Sequence, residues 1–197
     1  RAADGDILVL KGMGFAEPKT SAFAKLLKTL EAYPKKKALV VVDSAPVSTG
    51  GAIRRVAIAN GTIADTGENL AFSGEYVARV AIAPGAKTGV AVVGGGATRL
   101  VAFSVPGLVA KGSVALGNRI GNAIAFSPSG DRVFVRSGQR GATDVIEAFT
   151  YDVSTGAIGQ VPTLTITDVS GFTGSVYQTS MAISPDGALL VVADENT

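Results

Sequence analysis

Residues 122–135 read Asn-Ala-Ile-Ala-Phe-Ser-Pro-Ser-Gly-Asp-Arg-Val-Phe-Val, and this stretch decides the fold. One short apolar run ends at Phe126, and a second begins at Val133. Between them, proline fixes φ and glycine can take a positive φ, so the stretch predicts a strand, a tight turn and a return strand. The arrangement recurs at residues 182–193 and, more weakly, at 80–93. The three turn prolines lie 44 and 57 residues apart, so the hairpin is a repeated unit.

The spacing of the repeats predicts the architecture, because a four-stranded unit of roughly 40–45 residues is typical of a β-propeller blade. Two complete blades are predicted, with strands near 77–83, 88–93, 99–105 and 109–116, and near 122–126, 132–136, 144–152 and 162–168. A partial blade with strands near 38–43, 52–59 and 62–72 precedes them, and another starts near Tyr177 and holds two strands. The turn Asn60-Gly61 predicts a hairpin, since both residues accept positive φ. The positions predicted to be buried between blades are Ile124, Phe126, Val133, Val135, Ile183, Leu190 and Val192.

The front of the chain has a different pattern. Asp6–Leu10 predicts a strand, and apolar residues at helical spacing from Phe23 to Tyr33 predict an amphipathic helix near 21–33, which Pro34 ends. We expect an N-terminal strand and helix segment at 1–37, followed by propeller blades at 38–197 that start near 76, 118 and 177. The predicted fold class is all-β: a β-propeller of four-stranded antiparallel blades, partial in this chain, with one N-terminal amphipathic helix.

Composition excludes several kinds of chemistry. The 197 residues contain no cysteine and no histidine, which excludes disulfides, thiolate catalysis, histidine triads and His-ligated metals within this sequence. We therefore expect no cofactor. The formal net charge of +2 argues against nucleic acid as a partner. No apolar run approaches the ~18 residues of a transmembrane segment. Because the sequence begins at Arg1, we expect a processed N-terminus, a removed signal peptide and a secreted or periplasmic location.

Candidate ligand-binding residues follow from propeller geometry, in which loops at one face of the central channel form a funnel. The ends of each second strand contribute one set, and the segments before each first strand contribute the other. The two sets are Asp43, Arg136, Asp194 and Glu195, and Arg119, Asn122 and Gln178. These side chains can hold a hydrated ligand or, through oxygen atoms, a divalent cation. The alternative is that they are ordinary solvated loop residues. No catalytic residue and no dedicated metal site is predicted.

The repeated motif resembles that of the YVTN and lactonase-like β-propellers. It consists of an apolar residue, Ser-Pro, Asp or Ser, Gly and a second apolar strand, at residues 123–137 and 182–194, with the turn Tyr151–Gly156. The resemblance covers about 76–197, and 38–75 more loosely. It implies a propeller, most often with seven blades, in a family that includes sugar-lactone hydrolases, surface-layer proteins, quinoprotein subunits and adhesion modules. No position here matches the family's catalytic motif.

Two functions remain open. The favoured one is a non-catalytic β-propeller module that binds a protein partner or surface polymer and belongs to a larger propeller. The repeats supply about three to four blades, whereas closure usually needs at least four. Either the remaining blades of a longer polypeptide complete the sheet, which we favour, or a protein partner does, and open strand edges favour oligomers. A closed, smaller all-β fold is the third possibility. The alternative is a lactonase-like hydrolase, or a quinone- or metal-dependent oxidoreductase, with its ligand in the funnel. Whether the chain is an enzyme stays undecided, although no nucleophile–base pair is visible.

Overall fold

The computed structural model describes residues 8–12, 37–43, 50–59, 62–85, 87–138, 145–167 and 180–193. The elements of these residues are all strands: β1 Leu8–Gly12, β2 Lys37–Asp43, β3 Gly51–Ala59, β4 Thr62–Phe72, β5 Tyr76–Ile82, β6 Thr88–Gly94, β7 Thr98–Ser104, β8 Ala110–Gly117, β9 Ile120–Phe126, β10 Arg132–Gly138, β11 Val145–Thr150, β12 Leu164–Thr167, β13 Ser180–Ile183 and β14 Leu190–Ala193. The predicted helix near 21–33 lies outside the described residues.

The strands form four sheets in chain order. Sheet 1 contains β1–β4, sheet 2 β5–β8, sheet 3 β9–β12 and sheet 4 β13–β14. Neighbouring strands are antiparallel except for β1, which pairs with β2 in parallel. This arrangement confirms the predicted all-β propeller blades and the strand positions of sheets 2 and 3. Ala59 pairs with Thr62 across the predicted Asn60-Gly61 hairpin, whose two turn residues lie outside the description.

The core lies between neighbouring sheets. One cluster joins sheets 1 and 2 through Ile53, Phe72, Val77, Ala91, Val93, Val101, Phe103, Val105 and Leu108. The other joins sheets 2 and 3 through Ala83, Val90, Val92, Leu100, Ala102, Val114, Leu116, Val133, Val135, Phe149, Tyr151 and Ile158. Residues 90–93 of β6 are fully buried because both faces of sheet 2 are covered. This explains why they form a continuous apolar run rather than an alternating one.

The repeated turns pack against one another at one end of the sheets. Gly130 has φ +76°, and a Cβ there would lie 3.2 Å from Pro84 Cδ. Gly187 has φ +75°, and a Cβ there would lie 3.4 Å from Pro128 Cδ. Each turn glycine therefore faces the proline ring of the preceding repeat. Proline and glycine set the backbone of each turn, and they also keep the turns in contact.

Burial of the predicted core residues differs from strand to strand. Val133 and Val135 are fully buried, as predicted. Ile124 and Phe126 are partly buried against the core between sheets 2 and 3. Ile183, Leu190 and Val192 in sheet 4 are also only partly buried. The prediction was therefore correct for two positions and too strong for the other five.

Candidate functional site

Several predicted ligand residues lie at one end of the sheets. Asp43 ends β2 opposite Ala52, and the neighbouring Gly51 N–H donates to the Glu75 carbonyl just before β5. At the same end of sheet 3, Arg119 precedes β9, Asn122 lies within it, and Arg136 pairs with Ala123 near the end of β10. We call this end the charged rim; it comprises Asp43, Glu75, Arg99, Arg119, Asn122, Arg136 and Glu147.

Arg119 holds the connection between sheets 2 and 3. Its Nη2 donates to Glu147 Oε2 at 2.8 Å, and its Nε donates to the Leu116 carbonyl at 3.1 Å. Glu147 faces sheet 2, because it lies opposite Val135, whose side chain packs in the core between these sheets. The Glu147 side chain is 9% exposed and that of Arg119 29% exposed. A ligand that binds Arg119 would therefore share the guanidinium with the Glu147 carboxylate, which is almost completely buried.

Arg136 lies inside the fold. It sits in β10 opposite Ala123 and Ile146, and its side chain is almost completely buried. Alternation along the strand places it on the face opposite Val135, away from sheet 2. The sequence analysis placed Arg136 at the end of the second strand, among the residues that line the funnel, whereas the structure continues β10 to Gly138 and buries the Arg136 side chain.

The other predicted ligand residues are only partly described. The backbones of Asp43 and Asn122 lie in β2 and β9, while their side chains are outside the description. Gln178, Asp194 and Glu195 lie outside the described residues altogether. The seven-residue ligand set therefore stays a prediction.

A second ion pair at the charged rim was missed by the sequence analysis. Arg99 Nη2, near the start of β7, donates to Glu75 Oε2, and the Arg99 guanidinium carbon lies 6.0 Å from the centroid of the Phe72 ring. This group connects the end of sheet 1 to sheet 2. Glu75 could have been found, because it precedes β5 as Arg119 precedes β9. Arg99 is 24 residues away along the chain, so local sequence carries no sign of the pair.

The carboxylates at the opposite end of the sheets close turns. Asp131 accepts hydrogen bonds from the Ser129 and Ser127 hydroxyls, which lower its pKa. The Ser154 hydroxyl lowers the pKa of Asp152 to about 2, with further help from Thr155. Carboxylates with a lowered pKa stay ionised near neutral pH and are poor general acids or bases. Their hydrogen bonds within the turns indicate a structural role.

The described residues contain no group of three or more His, Cys, Asp or Glu side chains arranged to hold a metal ion. Over the same parts of the chain, no helix is long and apolar enough to cross a membrane. Among the described side chains of the charged rim, two carboxylate–guanidinium pairs connect neighbouring sheets: Arg119 with Glu147, and Arg99 with Glu75.

Comparison with solved structures identifies the fold. A candidate 6-phosphogluconolactonase from Bacteroides uniformis ATCC 8492 superposes with a TM-score of 0.55 at 15% identity, over 77% of this chain and 46% of that chain. A second, from Bacteroides fragilis NCTC 9343, gives 0.54 at 16% identity, over 77% and 46%. The Cps50 (Swd1) β-propeller domain of Myceliophteria thermophila gives 0.50 at 13% identity, over 82% and 54%.

These neighbours define the class of protein: the chain has the β-propeller fold, and it spans about half the length of the structures it matches. No protein-family model matches the sequence, and no curated protein matches it either. At these identities the likeness concerns the fold alone. Membership of the YVTN family stays a prediction.

Proposed function

We propose that this chain is a non-catalytic β-propeller module that binds a protein partner or surface polymer, and that one face of sheet 4 docks on a further sheet of a larger propeller. The observation that carries the proposal is the outer face of sheet 4, formed by Ser180, Ala182, Leu189, Val191 and Ala193. All five residues are exposed, and all except Ser180 are apolar. A sheet face of this composition is typical of a surface that is covered by another structure.

The equivalent face of sheet 2 is covered by the next sheet. Val90, Phe134 and Val191 each lie six residues after the turn proline of their repeat. Val90 is 0% exposed, because its side of sheet 2 packs on sheet 3, whereas Val191 is 60% exposed. The same side chain at the same place in the repeat thus has a covering sheet in one case and none among the described residues in the other. Covering the outer face with another sheet extends the packing already present between sheets 2 and 3.

Light scattering on the purified 197-residue chain tests this proposal. We expect the wild-type chain to associate through its apolar outer face, and Val191→Asp to shift it towards the monomer, because docking would bury the new carboxylate. Val109→Asp is the matched control, since Val109 is 57% exposed but lies in the turn before β8. A wild-type chain that stays monomeric would overturn the proposal. Turnover of a sugar lactone by that monomer would favour the enzymatic alternative.

A further inference from the structure

The third strands of sheets 2 and 3 carry the same short pattern. Residues 100–104 of β7 read Leu-Val-Ala-Phe-Ser, and residues 146–150 of β11 read Ile-Glu-Ala-Phe-Thr. Phe103 lies opposite Gly89 and Phe149 opposite Val133, and both rings are buried. Gly89 and Val133 each lie five residues after their turn proline, as does Leu190 in sheet 4. In both sheets, a phenylalanine of the third strand therefore lies opposite the fifth residue after the turn proline.

Backbone hydrogen bonds show that β14 has the edge needed for such a strand. The Tyr151 N–H donates to the Asp131 carbonyl, so alternate residues of the second strand, including Val133, point their polar backbone groups towards β11. In sheet 4, the Ser184 N–H donates to the Leu189 carbonyl, so Leu189 and Val191 point towards β13. Leu190 and Val192 therefore point their N–H and C=O groups to the other edge. Within the described ranges, no strand pairs with that edge.

Apolar side chains of sheet 3 face the position beside this edge of β14. Ile166 of β12 lies opposite Ile146, as Val114 of β8 lies opposite Leu100. Val114 is 5% exposed and belongs to the core cluster that contains Phe149, the aromatic residue of the next sheet's third strand. Ile166 is 42% exposed, and its neighbour Leu164 is also exposed. Sheet 3 thus presents the surface on which the aromatic residue of a third strand in sheet 4 would pack.

From these observations we propose a strand-binding slot, bounded by the edge of β14 at Leu190 and Val192 and by Leu164 and Ile166 of β12. Its occupant is an antiparallel strand with the pattern aliphatic, any residue, Ala, Phe, Ser or Thr, with the phenylalanine opposite Leu190. This inference rests on the proposed function and names the partner segment that completes sheet 4. Main-chain hydrogen bonds supply affinity, and the aromatic side chain supplies specificity.

Binding of a synthetic peptide with the sequence of residues 98–105 tests the slot, because this segment has the required pattern. Fluorescence anisotropy of the labelled peptide is measured against the wild-type chain and against Val191→Asp, which keeps the edge of β14. One peptide is N-methylated at the residues equivalent to Val101 and Phe103, whose N–H groups would face β14. Its matched control is N-methylated at Leu100 and Ala102, whose N–H groups would face away.

We expect the first methylated peptide to bind at least about tenfold more weakly than its control, because it loses two main-chain hydrogen bonds. Ile166→Asp should weaken the unmodified peptide similarly, and Val109→Asp should not. Equal affinities for the two methylated peptides, or no binding by any peptide, would overturn the slot. If Val191→Asp abolishes association of the chain while no peptide binds, the proposed function is supported and the strand-binding slot is refuted. If the peptide binds to a wild-type chain that never associates, the slot is supported and the proposal of a larger propeller is refuted.

Discussion

Replacing Arg119 with methionine is the most informative single change at the charged rim. Methionine keeps much of the apolar stem of arginine but removes the charge and the hydrogen bonds to Glu147 and Leu116. Breaking a fully buried ion pair costs about 3–5 kcal/mol, whereas an exposed pair contributes about 0–1 kcal/mol. The pair lies between these limits, with side chains 29% and 9% exposed. We therefore expect Arg119→Met to lower the free energy of unfolding by about 2–3 kcal/mol.

Urea denaturation of four proteins measures this value: the wild type, Arg119→Met, Glu147→Leu and the double variant. The double variant removes both charges and leaves apolar side chains, so we expect it to lose less than about 1 kcal/mol. Such recovery would show that most of the cost in Arg119→Met comes from the stranded Glu147 carboxylate. A loss below about 0.5 kcal/mol for Arg119→Met, within the range of ordinary surface changes, would refute this reasoning. Such a small loss would also mean that the Arg119 guanidinium is only weakly held by Glu147 and can bind a ligand.

Two further predictions concern the core and the turns. Phe103→Ala should lower the free energy of unfolding, measured by urea denaturation, by about 3–5 kcal/mol, because the ring is fully buried between sheets 1 and 2. The control Val109→Ala changes an exposed residue and should lower it by no more than about 0.5 kcal/mol. Similar losses for the two variants would show that the core is misplaced. The folded pKa of Asp152, about 2, lies below its ordinary value of 3.8, so its contribution to stability is present above about pH 4 and is lost as pH falls towards 2. Asp152→Asn should flatten the pH dependence of the melting temperature in that range, and an unchanged profile would contradict a structural role for this carboxylate.

The sequence predicted sheets 2 and 3 well because the turn between the first two strands of each sheet is short and carries a strong local signal, although β11 and β12 are joined by the longer segment 151–163. The turn prolines and glycines fix where the first hairpin of each sheet reverses, and its antiparallel pairing follows directly from the short connection. The place of β1 was not predicted. Its strand was expected at Asp6–Leu10, but nothing in that run specifies a parallel partner at residues 37–43, because such a pairing depends on a long connection.

The candidate site could be predicted only in part. Propeller geometry placed Asp43, Arg119, Asn122 and Arg136 at one end of the sheets, and their backbones lie there. Sequence reasoning did not foresee that Arg119 is held by Glu147, 28 residues later, because the pair forms only when two sheets meet. The ligand role of these residues, like the secreted or periplasmic location, stays a prediction.

The unequal cover of the four sheets has a consequence for how the molecule opens. Sheet 2 packs on both neighbours, whereas sheet 4 meets a neighbour on one face alone within the described residues. When each unit is stabilised mainly by those beside it, local opening starts at the least covered end and spreads inward. Amide hydrogens of β13 and β14 should therefore exchange with deuterium first, and those of β6 last. A partner that covers sheet 4 would reverse this order at that end, so the exchange rate of β14 reports occupancy of its face and edge without any need to know what binds there.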